Sequence, residues 1–187
     1  MKILLIISTF ISFSLFGQET AKVFGTVKSA INNEPLEYLV VSIAGTGTGV
    51  PTDSLGYYEL YVPTGELTIN VIYLGYNGID TTLNIQESTE LNFLIDANCE
   101  FDKDRAERDI RKNKAKLLLV GSIAPIANSK QDEQFMKKYK VKYFDFGDEV
   151  IAMECIEEYN IEIFQFLDDK YGSDWRNEAR ADVIALE

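Results

Sequence analysis

The sequence predicts an α+β protein: an antiparallel β-sandwich in the first half, then a small α/β unit carrying a long amphipathic helix. Three observations carry this expectation. Short rows of alternating apolar and polar residues run from Val23 to Ile95, separated by turn residues. From Ile151 to Tyr171 the apolar spacing becomes that of a helix. The charge shifts between the two: from Gln18 to Ala97 the basic residues are Lys22 and Lys28 alone, and the other Lys and Arg beyond Lys2 follow Asn98. Such a shift marks a boundary, so the chain is expected to divide at 1–17, 18–97 and 98–187.

Met1-Lys2 is followed by an apolar run from Ile3 to Phe16, diluted by Ser8, Thr9, Ser12 and Ser14. One charge followed by an apolar run of about 14 residues is the pattern of a signal peptide, and too short for a permanent anchor. Cleavage is expected near Gly17–Gln18, which makes the protein an exported one: periplasmic, outer-membrane-associated or extracellular. No Cys follows the run, which argues against a lipid anchor, and no later stretch is apolar enough to span a bilayer.

The net charge of −12 argues against nucleic acid as a partner, because phosphate backbones need a basic surface. The chain has no histidine. That removes Ser-His-Asp and Cys-His catalysis, His-ligated zinc and proximal-His haem. No cofactor is expected. Carboxylates, Lys, Tyr, Ser and Cys remain as chemical actors.

In the first half, Val23 and Val27 share one face of a strand, with Gly25 between them. Further rows are Leu39-Val41-Ile43, Tyr58-Leu60-Val62, Leu67-Ile69-Val71-Tyr73, Ile79-Leu83-Ile85 and Leu91-Phe93-Ile95. Turn chemistry separates them at Asn32–Pro35, Asp53–Gly56, Pro63–Gly65 and Asn77-Gly78. Short strands without a helical pattern between them imply a sandwich. Asp53 is placed to accept backbone hydrogen bonds two residues on, and Gly56 to supply a positive φ. Gly75 is expected to allow a bend.

The landmarks Gly25-x-Val27, Pro35-Leu36, Val41-x-Ile43-x-Gly45-Thr46, Gly49, Thr52-Asp53, Gly56-Tyr57-Tyr58-x-Leu60, Pro63-x-Gly65 and Tyr73-x-Gly75-Tyr76 occur in order. Together they resemble the carboxypeptidase-regulatory-like domain, a transthyretin-like sandwich also found at the N-terminus of TonB-dependent outer-membrane receptors. The resemblance implies an accessory or contact role toward a protein or glycan partner, with no chemistry of its own. A receptor barrel needs more strands than this chain can hold. Tyr57 and Tyr61 are expected to point away from the core, either to bind a partner or glycan or to pack against the second unit.

The second half reads as helix, strand, helix, strand, helix, helix. Asp102–Lys114 alternates acids and bases, as a solvated helix does. Leu117–Val120 is a buried strand, Gln131–Tyr139 a short helix and Val141–Phe146 a strand. A strand-helix-strand unit of this kind is expected to be parallel. Gly172 stops the long helix, and Ser173 is expected to cap a last one from Asp174 to about Ile184. Blocks such as Leu117–Gly121 and Lys170-Tyr171-Gly172 resemble a small bacterial α/β domain to which no activity attaches.

Cys99 and Cys155 are the only cysteines; they either pair or remain buried thiols. A bridge would close a loop of about 56 residues, worth about 4 kcal/mol in the chain-entropy model. At the strand ends, Ser122, Asp145, Asp148 and Glu149 are candidates for a small ligand site, since open α/β sheets bind there. A polar loop is the plainer reading. Asp168-Asp169 and Glu157-Glu158 are read as solvated, since adjacent helix positions do not converge. Lys137, Lys138, Lys140 and Lys142 are expected to dock on the acidic long helix. The expected function is that of a non-enzymatic envelope contact protein; the alternative is a small hydrolase or transferase using Ser122, Asp145 or Asp148.

Overall fold

The computed structural model describes residues 19–119, 121, 127–147, 149 and 151–186. The signal-peptide pattern, Ser122 and Asp148 lie outside the described residues. The architecture is α+β, with two separate hydrophobic cores, one running from Ala21 to Ile95 and the other from Phe101 to Ile184.

The first core is a sandwich. Its strands are β1 (Thr20–Ser29), β2 (Val40–Ile43), β3 (Gly49–Pro51), β4 (Tyr57–Pro63), β5 (Gly65–Ile72), β6 (Ile79–Ile85), β7 (Thr89–Glu90) and β8 (Phe93–Ile95). One sheet has the order β4-β1-β7, with β8 also on β1; the other has the order β3-β2-β5-β6. Alternation decides the faces. Val23, Val27, Tyr58, Leu60 and Val62 from the first sheet meet Val41, Ile69 and Val71 from the second. The pairing is not wholly antiparallel as the sequence suggests: β1 pairs antiparallel with β4 but parallel with β7 and β8. Period-two alternation records which side faces the core and not which way a neighbour runs.

Two glycines are placed by close approach. A Cβ on Gly25 would stand 2.2 Å from the Leu91 carbonyl oxygen, where β1 passes from β7 to β8. Gly56 has φ +71° and a Cβ there would stand 2.4 Å from the Val27 carbonyl oxygen. The reversal before it is built by Asp53, whose Oδ1 accepts from the Leu55 and Tyr57 amides at 2.9 Å.

The second core surrounds α1 (Lys103–Arg111), β9 (Lys116–Leu118), α2 (Lys130–Tyr139), β10 (Lys142–Phe144), α3 (Met153–Tyr171) and a 3₁₀ turn over Ser173–Asn177. β9 and β10 pair parallel, Leu117 beside Tyr143. Asp102 caps α1, and Ser129 with Asp132 forms a capping box on α2.

The tail departs from expectation at its end. No α-helix runs from Asp174 to Ile184: a 3₁₀ turn spans Ser173–Asn177, and its N-cap is Gly172 rather than Ser173, with no side-chain cap. The chain instead turns back so that Val183 bridges Leu119 and the Ile184 amide donates to Leu118 at 3.0 Å. Burial of Val183 and Ile184 beside β9 outweighs their local preference. α1 is also less solvated than its charges suggest: Asp109 is buried and accepts from Tyr159 Oη at 3.0 Å.

Candidate functional site

At the ends of β9 and β10 the two backbones come close: a Cβ on Gly121 would stand 2.4 Å from the Gly147 carbonyl oxygen. Asp145 folds onto its own turn, with Oδ1 accepting from the Gly147 amide at 2.7 Å. Glu149 is exposed. Among the described residues, no hydrogen bond or ion pair joins Asp145 to Glu149, and no group of three or more His, Cys, Asp or Glu is placed to hold a metal ion. Also among the described residues, no helix is long and apolar enough to cross a membrane.

Two further expectations are corrected. The Lys137–Lys142 cluster does not dock on the long helix: Lys138 Nζ reaches Glu178, beyond the 3₁₀ turn, at 2.7 Å, and Tyr139 Oη joins the same carboxylate at 2.9 Å. Asp168 is not simply solvated. It accepts from Trp175 Nε1 and Arg176 Nη2, both at 2.8 Å, and so ties the 3₁₀ turn to α3.

The sandwich and the tail meet at a clasp. Cys99, four residues past β8, is disulfide-bonded to Cys155 in the first turn of α3, with Cα atoms 5.6 Å apart. One residue away, Tyr76 Oη donates to the nearly buried Glu154 carboxylate. Burial raises the Tyr76 phenol, and the carboxylate raises it further. Tyr76 in turn bridges Ala97, and the Asn98 amide donates to the Gly75 carbonyl at 2.8 Å. Gly75 has φ +83°, which makes the bend.

Beside this clasp lies a cleft of about 340 Å³, walled by Leu36 and Leu74 from the sandwich and by Ile151 and Met153 from the tail. The outer face of the β3-β2-β5-β6 sheet runs up to it. Far from the tail that face is polar, with Thr68 against Thr82 and Asn70 against Asp80. At the near end, Pro51, Val40 and Ile72 lie side by side across three strands, all exposed. Leu74 is 71% exposed and Met153 48%. Tyr38, two residues before Val40, is 72% exposed and held at φ +60°.

The opposite sheet presents a different surface. On β4, Tyr57, Glu59 and Tyr61 point outward against Thr26, Phe24 and Lys22 of β1. Both tyrosines and Lys22 converge on Glu59: Tyr61 Oη donates to Oε1 at 2.9 Å, Tyr57 Oη to Oε2 at 3.2 Å, and Lys22 Nζ to Oε2 at 3.1 Å. The Lys22 hydrogen bond, then that of Tyr61, holds the Glu59 carboxyl below its usual range. The same bond holds the Lys22 ammonium up, and Glu59 raises Tyr61 likewise. Tyr57 and Tyr61 point outward as expected, but Tyr61 remains 64% exposed, so this face is not covered by the tail.

Residues 23–102 match the family model of the CarboxypepD_reg-like domain. No curated protein matches the chain. Solved structures are similar at low identity. A type II cohesin–X-dockerin complex from Acetivibrio cellulolyticus is 17% identical over 58% of this chain and 80% of that chain, with a TM-score of 0.40. The 5-hydroxyisourate hydrolase of Klebsiella pneumoniae is 14% identical over 42% of this chain and 91% of its own, with a TM-score of 0.35. A DUF3823 family protein from Parabacteroides merdae is 16% identical over 42% of this chain and 45% of its own, with a TM-score of 0.33.

Within the sandwich, Thr52 appears in the sequence only as a landmark beside Asp53, and its structural role is what sequence reasoning missed. Thr52 is buried, donates from Oγ1 to the Leu36 carbonyl and accepts from the Leu39 amide at 3.0 Å. It thereby sets the segment that carries Tyr38 and Val40 to the surface. Thr52 stands directly before the Asp53 turn, and a hydroxyl at that position was the one available signal.

Proposed function

We propose that this chain is an exported, non-enzymatic protein of the cell envelope, built of two modules, whose sandwich is a contact module for another protein. The observation that carries this reading is the apolar row Pro51–Val40–Ile72, continued by Leu74 and Met153 at the rim of the cleft. Contiguous exposed apolar surface on one end of an otherwise polar sheet face is the mark of an interaction site. Its aliphatic centre can be desolvated at little cost, as the centre of a protein interface must be. The disulfide and the Tyr76–Glu154 bond hold both walls of the cleft, so little order is lost on binding. The apolar run at Ile3–Phe16 and a paired Cys99 and Cys155 support export to an oxidising compartment.

The test is site-specific photo-cross-linking in the source cells. p-Benzoylphenylalanine at Leu74 is expected to capture one discrete envelope protein, and Ile72→Asp to abolish the capture. The same probe at Thr82, on the polar end of the same sheet face, captures nothing. No product at Leu74, or equal products at both positions, refutes the reading.

A further inference from the structure

The outward face of the β4-β1-β7 sheet carries a second assignment, which goes beyond the protein-contact reading and rests on a different surface. We propose that this face is a binding platform for a neutral oligosaccharide.

Tyr57 and Tyr61 stand on the same side of β4, which is the edge strand of its sheet and so is open along one flank. Four residues of extended strand put their Cα atoms about 13 Å apart, and both side chains lean toward Glu59 between them, where their hydroxyls meet one carboxylate. The two rings and the Glu59 carboxylate form one elongated surface along the strand, on which an extended chain of sugars makes more contact than a single ring. Each tyrosine offers an apolar ring face to pyranose C–H groups and a polar tip to hydroxyls. Their tips are anchored before any ligand arrives, because both hydroxyls already donate to Glu59. Rings fixed in this way lose little freedom on binding.

Charge selects the kind of ligand. The only two lysines of the sandwich, Lys22 and Lys28, both lie on the outward side of β1. Lys22 pairs with Glu59, and the two cancel at the middle of the face, on a chain whose net charge is −12. Glu90 stands on the other flank of Phe24, Asp53 acts on Tyr57 at one end, and Lys28 lies further along β1 beside Leu94. The face is thus matched to an uncharged ligand, where the rest of the surface favours cations.

The centre of the face decides between a glycan and a protein. That centre is the Lys22–Glu59 ion pair. Covering it with an apolar protein surface would strip both charges of water, which commonly costs more than their attraction returns. Interface cores are correspondingly poor in charge. Sugar hydroxyls can instead bond to the carboxylate and ammonium and leave bridging water in place. Beside them, Thr26, Asn92 and Glu90 form a ladder, with Thr26 Oγ1 donating to Asn92 Oδ1 at 3.1 Å and Asn92 Nδ2 to Glu90 at 3.0 Å.

The experiment titrates the full mature chain with maltohexaose, cellohexaose, xylohexaose and chitohexaose, with polygalacturonate as the acidic comparison, read by calorimetry and by NMR of the tyrosine rings. At least one neutral hexasaccharide is expected to bind at millimolar concentration or tighter, in preference to polygalacturonate. Tyr61→Ala should weaken it by about tenfold, the worth of one stacked ring, while Tyr61→Phe keeps most of the affinity. Ile72→Asp, at the protein-contact row, should leave glycan binding unchanged, so this idea and the contact reading fail separately. Binding to none of the neutral sugars, preference for the acidic polymer, or unchanged affinity in Tyr61→Ala overturns it.

Discussion

Asn160 offers the sharpest test of how the tail is held together. Its side chain, on α3, is fully buried. Oδ1 accepts from the Leu118 amide, and Nδ2 donates to the carbonyls of Leu118 and Ile184, each at 2.9 Å. Among the described residues β9 pairs with β10 on one side and meets only the Val183–Ile184 segment on the other, so Asn160 completes the hydrogen bonds on that side. In Asn160→Ala the Leu118 carbonyl keeps the Ile184 amide at 3.0 Å, but the Leu118 amide and the Ile184 carbonyl lose their Asn160 partner. Each orphaned buried group costs about 1–3 kcal/mol, so the loss is about 4 kcal/mol. That is a large part of the 5–15 kcal/mol, roughly, that holds a typical domain together. Asn160→Asp should be worse, because a carboxylate then faces two carbonyl oxygens with nothing to donate. Trp175 is the only tryptophan and is fully buried in this core, so its fluorescence reports tail unfolding in urea. The expected order of midpoints is wild type, then Asn160→Ala, then Asn160→Asp. An unchanged midpoint in Asn160→Ala, or equal midpoints for the two variants, would refute the reasoning.

Two further outcomes follow from the clasp and the 3₁₀ turn. Replacing Cys99 and Cys155 together by Ser should cost about 4 kcal/mol, the chain-entropy value for a 56-residue separation, measured by urea unfolding with and without reductant; coincident curves would count against it. Arg176 first, and Trp175 after it, hold the Asp168 carboxyl below its usual range, so its contribution to stability is present above the unfolded value of about 3.9 and is lost as pH falls through the lower folded value. Asp168→Asn should flatten the acid limb of the unfolding midpoint against pH, and an unaltered acid limb would show that the contact is idle.

Much of the sandwich is legible in the sequence because each strand writes its own faces. Val23 and Val27, Tyr58 through Val62, and Ile69 and Val71 are core positions on alternation alone, and Tyr57 and Tyr61 are outward for the same reason. The Asp53–Gly56 reversal is legible because the hydrogen bonds that shape it, from the Leu55 and Tyr57 amides to Asp53 Oδ1 and from the Gly56 amide to the Asp53 carbonyl, close within four residues. The parallel pairing of β1 with β7 and β8 is not, since alternation is the same in either direction. Nor is the end of the tail: Ser173 before Asp174 is a good helix start, yet Val183 and Ile184 gain more by lying beside β9. Of the predicted site residues, Asp145 turns onto its own loop and Glu149 faces solvent, while Lys138 and Asp168 find partners that local charge patterns do not reveal.

The order of local segments, the inward side of every strand and the place of its turns were settled by residues a few positions apart, because backbone sterics and side-chain alternation act over that range. What meets what was decided only when the chain closed on itself. Thr52, Asn160 and the Tyr57–Glu59–Lys22 cluster owe their roles to groups brought together from separate strands and helices, since a buried polar atom must find its partner wherever packing puts one.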